Sequence, residues 1–208
     1  MSLLINAVSC HLEANSYPTT LNVLILIISF LEVPLPVFTS LSLPSVRSPG
    51  IMVHYERLVL YFDGASKGNP RGPAGCGWAI YEMNDQGADS RSIARDKDYL
   101  GYNISNNQAE YQGLINGLDY IFRQDMTCNS LYVRGDSMLV IRQMEGRFQV
   151  KSNNIKPYYN RAQESLERLD CARTTFKFVS RERNCVADEL ANEAIQNGYR
   201  GDGDSDSS

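Results

Sequence analysis

The chain has 208 residues, 43% of them hydrophobic and 21% charged, an ordinary globular composition with length enough for one core plus extensions. Its net charge of −4 gives no sign of a polyanion binder, but the total hides an uneven distribution. Every one of the 20 Lys and Arg except Arg47 lies within 51–200, whereas five of the 24 acids (Glu13, Glu32, Asp202, Asp204 and Asp206) lie outside that span, which is therefore neutral. Were some of its acids to hold cations, the remaining surface would be effectively basic, so charge permits nucleic-acid binding without arguing for it. The cysteines (Cys10, Cys76, Cys128, Cys171 and Cys185) form no C-x-x-C pair or His-rich cluster, which argues against a zinc site. Their odd number points to reduced thiols and an intracellular setting.

Residues 1–52 read differently from the rest. No Lys or Arg precedes Arg47, and the stretch from Tyr17 to Gly50 is rich in Leu, Ser and Pro. The apolar run Val23–Leu31 falls short of the ~20 residues a bilayer needs. It also lacks the preceding positive charge of a signal peptide. This segment is expected to be a disordered extension, or foreign to the natural product if translation starts at Met52. A signal anchor is the second reading. From 53 to 200 a single domain is expected, followed by an acidic disordered tail over 201–208. That tail opens like a calcium loop but has no glycine at loop position six.

Within the domain, residues 58–63 read as a strand and 76–82 as a second after a Gly/Pro turn, with a third in 91–102. These spacings predict antiparallel hairpins. Leu114, Leu118 and Ile121 recur at helical period and predict a helix over 107–124. Leu131–Val133 is a short strand, followed by a helix from Ser137 to Glu145. Pro157 opens another helix running to Leu169, Pro being suited to a first helical position. Thr174–Val179 is a β-branched and aromatic strand, and Asn184 caps a last helix through Gln196. The pattern predicts a mixed five-stranded sheet with helices packed on it.

Four carboxylates fall at element ends. Asp63 ends the first strand in "LYFDGASKGNP", and Asp136 follows Leu131-Tyr132-Val133. Open α/β sheets place their sites at such carboxyl ends. Glu110 sits in the first turn of its helix with Leu114 and Leu118 at i+4 and i+8, which turns it toward the sheet. Asp188 has Ala191 and Ile195 at i+3 and i+7. A charge on an inward stripe is expensive unless paired or metal-bound. The plainer reading makes them turn, cap and surface residues, but no base stands at i±3 or i±4 of Glu110 to pair with it. Arg181 or Arg183 could serve Asp188. Oxygen ligands without His or Cys select Mg²⁺ or Mn²⁺.

"FDGASKGNP", "SNNQAEYQGL", "VRGDSMLV" and "NCVADELANEA", in this order, resemble the archaeal- and retroviral-like branch of the ribonuclease H type 1 family, which lacks a basic protrusion. The resemblance covers residues 55–198. It implies an RNase H-like fold, an α/β architecture whose five-stranded mixed sheet has strands one to three antiparallel. It also implies a divalent-metal-dependent endoribonuclease that cleaves the RNA strand of RNA–DNA hybrids with two Mg²⁺ ions, Mn²⁺ being the substitute, leaving 5′-phosphate and 3′-hydroxyl ends. By resemblance, Asp63, Glu110, Asp136 and Asp188 are the catalytic and metal-binding set. A two-metal site needs no side-chain nucleophile, which suits a chain without a Ser-His or Cys-His pair.

The resemblance also places Ser66, Gly68, Asn69, Asn106 and Asn107 along the RNA minor groove, where the 2′-hydroxyl distinguishes RNA from DNA. Met138 stands where a contacting Gln is common. Arg71 is inserted in the turn as a phosphate contact, and Arg142, Arg147, Lys151 and Lys156 are candidates for gripping the DNA strand. The loop before the fourth carboxylate carries no His, so Arg181, Glu182 and Arg183 stand in as the product-release loop. No obligate protein partner or membrane is implied, and a monomer is expected. Two other readings remain: a non-catalytic binding domain of the same fold, and a same-fold nuclease acting on another duplex. A 3′–5′ exonuclease would want D-x-E after strand one, where Asp63 is followed by Gly64-Ala65, and no phosphate-loop motif is present.

Overall fold

The computed structural model describes residues 52–201. The expectations for the N-terminal extension and the acidic tail lie outside these residues. The chain runs β1 (Val53–Ser66), β2 (Pro73–Met83), β3 (Asp89–Tyr102), α1 (Asn106–Arg123), β4 (Met126–Gly135), α2 (Met138–Met144), α3 (Lys156–Glu167), β5 (Thr174–Phe178), a 3₁₀ turn (Arg181–Arg183) and α4 (Cys185–Gly201). Sheet order is β3-β2-β1-β4-β5, with β1–β2 and β2–β3 antiparallel and β1–β4 and β4–β5 parallel. This is the five-stranded mixed sheet expected from the sequence.

Because strand side chains alternate between faces, β1 feeds two cores. Leu58, Leu60 and Phe62 pack with Trp78 and Ile80 beneath Tyr111, Leu114 and Leu118 of α1 and Val140 and Ile141 of α2. Val59 and Tyr61 face the other way, toward Val179 and Ala187 at the start of α4. Buried on both sides, β1 reads as an unbroken apolar run rather than an alternating one.

Two strands are longer than their sequence signal. β4 begins at Met126, five residues ahead of the Leu131–Val133 core, because Val53, His54 and Tyr55 of β1 pair with Met126, Thr127 and Cys128. β1 continues past Asp63, since Gly64, Ala65 and Ser66 still pair with Cys76, Gly75 and Ala74. Ser105, not either asparagine, caps α1, through a capping box with Gln108. Glu110 consequently falls just beyond the first turn. Between α2 and α3, residues 145–155 form no helix, so a basic protrusion is absent among the described residues. None of their helices is long and apolar enough to cross a membrane.

α1 is clamped onto β1 by glycine. A β-carbon on Gly64 would stand 2.0 Å from the Glu110 nitrogen, and one on Gly113 would stand 2.6 Å from the Asp63 carbonyl oxygen. Backbone meets backbone at both points, with nothing flexible to give way. Gly64→Ala should therefore cost about 3 kcal/mol, or roughly 6–12 °C in Tm by thermal denaturation. An unchanged Tm would mean that α1 does not lie on β1 as described.

Candidate active site

β1 has β4 as its parallel neighbour only as far as the Tyr61–Arg134 pair, while β2 accompanies it to Ser66. Where β4 departs, the sheet splits, and Asp63 and Asp136 stand on the two sides of the opening. Asp63 thus lies inside β1 rather than at its end, and the end that matters is that of the β1–β4 pairing. α1 brings Glu110 over the split, and the first turn of α4 brings Asp188. All four carboxylates line one cleft, together with Ser66, Lys67, Asn106, Arg181 and Asn192.

Carboxylate oxygens of Asp63, Glu110 and Asp136 lie within 4.8 Å of one another. Asp63 is 4% and Glu110 5% exposed, while Asp136 is half-buried. Asp63 Oδ1 accepts from the Gly64 N–H at 2.8 Å. Glu110 Oε2 has no hydrogen-bond partner among the described residues. Among the described residues no cation is salt-bridged to any of these three, so at Asp63 and Glu110 burial and like charge outweigh the one opposing contact, the Gly64 N–H. Burial, then the Asp136 and Asp188 charges, push the Asp63 carboxyl up to about 8. Burial, then Asp63 and Asp136, hold Glu110 well above the ordinary carboxylate range.

Asp188 is held differently. Arg181 forms an ion pair with it from the 3₁₀ turn. Asn192, one helical turn on, donates to the Asp188 carbonyl at 2.8 Å and to its carboxylate at 3.2 Å. Lys67 in turn donates to Asn192 Oδ1 at 3.0 Å. An acidic trio, two of its members buried and one half-buried, with an unengaged oxygen therefore sits beside a fourth acid already paired. Hard oxygen donors, clustered and without a counter-charge, match a divalent cation of the Mg²⁺ or Mn²⁺ kind.

The turn between β1 and β2 borders the cleft. Ser66 donates its hydroxyl to the Ile104 carbonyl at 2.7 Å, and Asn69 Oδ1 accepts from the Asn106 N–H at 2.9 Å. Both contacts tie the turn to the entry of α1. Gly68 holds φ +77°, a conformation that favours glycine. Asn69 and Asn107 are exposed, as is Arg71.

Other predicted contacts lie apart, beyond the residues lining the cleft. Met138, Arg147, Lys151 and Lys156 are exposed. Arg142 and Arg147 both pair with Glu145, at 2.8 and 3.4 Å, so neither is a bare cation. Of the loop residues, Arg181 lines the cleft, while Glu182 and Arg183 are exposed without lining it. His54, bonded to Thr127 at 2.8 Å, lies nine residues back along β1 from Asp63, roughly 30 Å for an extended strand.

Sequence reasoning missed Lys67 and Asn192 as members of the site. The i+4 spacing of Asn192 from Asp188 was the available signal. It also treated Asn184 only as a cap, whereas its side chain reaches Asp136 at 2.9 Å.

A family model described as "Reverse transcriptase-like" matches residues 61–194. The bifunctional protein Rv2228c of Mycobacterium tuberculosis is 37% identical over 139 residues, covering 67% of this chain and 35% of that protein. Ribonuclease HI of Halobacterium salinarum is 38% identical over 139 residues, covering 67% of this chain and 64% of its own length. The chain thus spans about a third of the mycobacterial relative and under two thirds of the archaeal one. Among solved structures, LC11-RNase H1 in complex with RNA/DNA hybrid aligns with a TM-score of 0.60 at 33% identity, over 68% of this chain and 99% of that one. With the split sheet, the strand order and these matches together, the chain belongs to the reverse transcriptase-like family and, within it, to the type 1 ribonucleases H.

Proposed function

We propose that this chain is an endoribonuclease that hydrolyses the RNA strand of RNA–DNA hybrids, using two divalent ions, Mg²⁺ or in its place Mn²⁺. The observation that carries this reading is the trio of buried Asp63 and Glu110 with half-buried Asp136, oxygens within 4.8 Å and one oxygen unengaged, with Asp188 lining the same cleft. Bound divalent ions supply the Lewis acidity that lets water attack phosphorus and the 3′ oxygen depart, so no side-chain nucleophile is required. Asp63, Glu110, Asp136 and Asp188 would hold the ions. The products carry 5′-phosphate and 3′-hydroxyl ends.

The residues bordering the cleft suit a substrate that presents 2′-hydroxyls. Such a group both donates and accepts, and amides answer both needs. Asn69, Asn106 and Asn107, with Ser66 and the backbone at Gly68, would follow the RNA strand. Met138 would stand where a base- or sugar-contacting Gln is common, and Lys151 and Arg142 would lie toward the DNA strand, Arg142 after release from Glu145. Arg181, with Glu182 and Arg183, would assist product release from its place beside Asp188. Four described cysteines are free thiols, which supports an intracellular setting.

Labelled RNA–DNA, RNA–RNA and DNA–DNA duplexes, each with Mg²⁺, Mn²⁺ or EDTA, test the reading. Cutting confined to the RNA of the hybrid and abolished by EDTA is expected; cutting of DNA–DNA instead, or of nothing, overturns it. Asp63→Asn and Asp136→Asn should each lower turnover beyond the ~100-fold that loss of a mere supporting partner costs. Above about pH 8, where Asp63 too is ionised, neither should lower metal-free Tm, because each then removes a repelling charge.

Stability should also track the raised carboxyl. In metal-free protein, folded Asp63 keeps a proton up to about pH 8, whereas the unfolded chain releases it near its ordinary value of 3.8. Its contribution is thus fully present below the unfolded value and is lost as pH climbs toward the folded one. With EDTA, wild-type Tm should fall as pH is raised across this window, and Asp63→Asn should fall less. Saturating Mg²⁺ should raise Tm more at the upper end than at the lower. A wild-type Tm that holds level would contradict the buried cluster.

A further inference from the structure

We infer that Asn184 is a positioning residue that sets the metal affinity of the cleft by fixing Asp136 against β1, an inference that rests on the hydrolase reading above. Asn184 is 1% exposed, and its side-chain nitrogen donates twice, to the Phe62 carbonyl and to Asp136 Oδ1, both at 2.9 Å. An amide nitrogen has two hydrogens, so its donor capacity is fully used. The orientation is fixed by the neighbours, since a flipped amide would turn its oxygen toward two acceptors.

Asn184 Oδ1 has no partner among the described residues. Burying an unpaired acceptor is costly, so helix capping alone does not explain this side chain. The backbone already performs a capping task, the Asp188 N–H donating to the Asn184 carbonyl at 3.0 Å. What the side chain adds is a strut across the split in the sheet. Phe62 immediately precedes Asp63, Asp136 follows β4, and Asn184 immediately precedes α4, which carries Asp188. One carboxamide thereby ties together the elements that carry three of the four acids.

Asn184 is the one side chain hydrogen-bonded to Asp136 among the described residues. It occupies Oδ1 and leaves Oδ2 unengaged. Without it, Asp136 can rotate away from Asp63 and Glu110, as their mutual repulsion favours. Partners that orient metal ligands in this way are worth about 10–100-fold in metal affinity.

The test is calorimetric titration of Mn²⁺ into the metal-free full chain without nucleic acid, alongside Mg²⁺ dependence of hybrid cleavage. Asn184→Ala should weaken Mn²⁺ binding by ~10–100-fold and move the Mg²⁺ midpoint for cleavage upward by a similar factor. Asn184→Ser, which keeps one donor and is gentler on folding, should show a smaller shift in the same direction. Ile195→Ala, in α4 and buried away from the acids, provides matched destabilisation and should leave both midpoints in place. If the Asn184 variants lose Tm as Ile195→Ala does yet bind Mn²⁺ as wild type does, the residue is merely structural and the inference fails. A wild-type chain that binds no Mn²⁺ instead overturns the hydrolase reading, and this one with it.

Discussion

The cleft exists because a helix is pressed onto a strand at a point where neither has a side chain to intervene. Gly64 admits the Glu110 nitrogen, and Gly113 admits the Asp63 carbonyl, with hypothetical β-carbons only 2.0 and 2.6 Å from those atoms. This approach carries the Glu110 carboxylate to the mouth of the sheet instead of leaving it a side-chain length away. The hydrophobic stripe of Leu114, Leu118 and Ile121 holds the helix down, and the glycines decide how close it comes.

That proximity creates an electrostatic debt. Three carboxylates gather in a poorly hydrated place, and the two described cations nearest them are engaged elsewhere, Arg181 with Asp188 and Lys67 with Asn192. Burial first, and then mutual repulsion, shift Asp63 and Glu110 upward together, and protonation relieves both in the absence of a cation. A divalent cation would relieve it far more effectively. The fold therefore stores at this spot the kind of unfavourable charge that functional sites are built from. Asn184 keeps the arrangement from relaxing.

The turn after β1 is braced rather than loose. Asn69 holds the first N–H of α1, and Ser66 holds the Ile104 carbonyl, so the rim is referenced to the same helix that delivers Glu110. Rigid coupling of the rim to the carboxylate cluster would favour recognition of a substrate of fixed geometry, because a displaced rim would misplace it over the acids. Of the two arginines paired with Glu145, Arg142 sits in the last turn of α2, whereas Arg147 and the exposed Lys151 belong to the segment without regular structure that follows.

Apolar runs, helical period and turn or cap residues along the chain were enough to locate the strands and major helices of the described residues, because the apolar run in β1, the Leu114–Leu118–Ile121 stripe and Pro157 are all local signals. The inward direction of Glu110 followed from the same stripe. Strand ends did not follow, since the polar residues Thr127, Asn129 and Ser130 carry no burial signal and join β4 only because β1 lies alongside. Spacing offered Arg181 and Arg183 to Asp188 without choosing between them, and it could not reveal that Lys67 reaches Asn192 in the same cleft, or that Asn184 grips Asp136 and the Phe62 carbonyl. Those pairings join residues up to 125 positions apart. Local sequence determined which groups would face inward; only the tertiary structure decided which of them would meet, because hydrogen bonds and charge repulsion depend on distance in space, to which separation along the chain is blind.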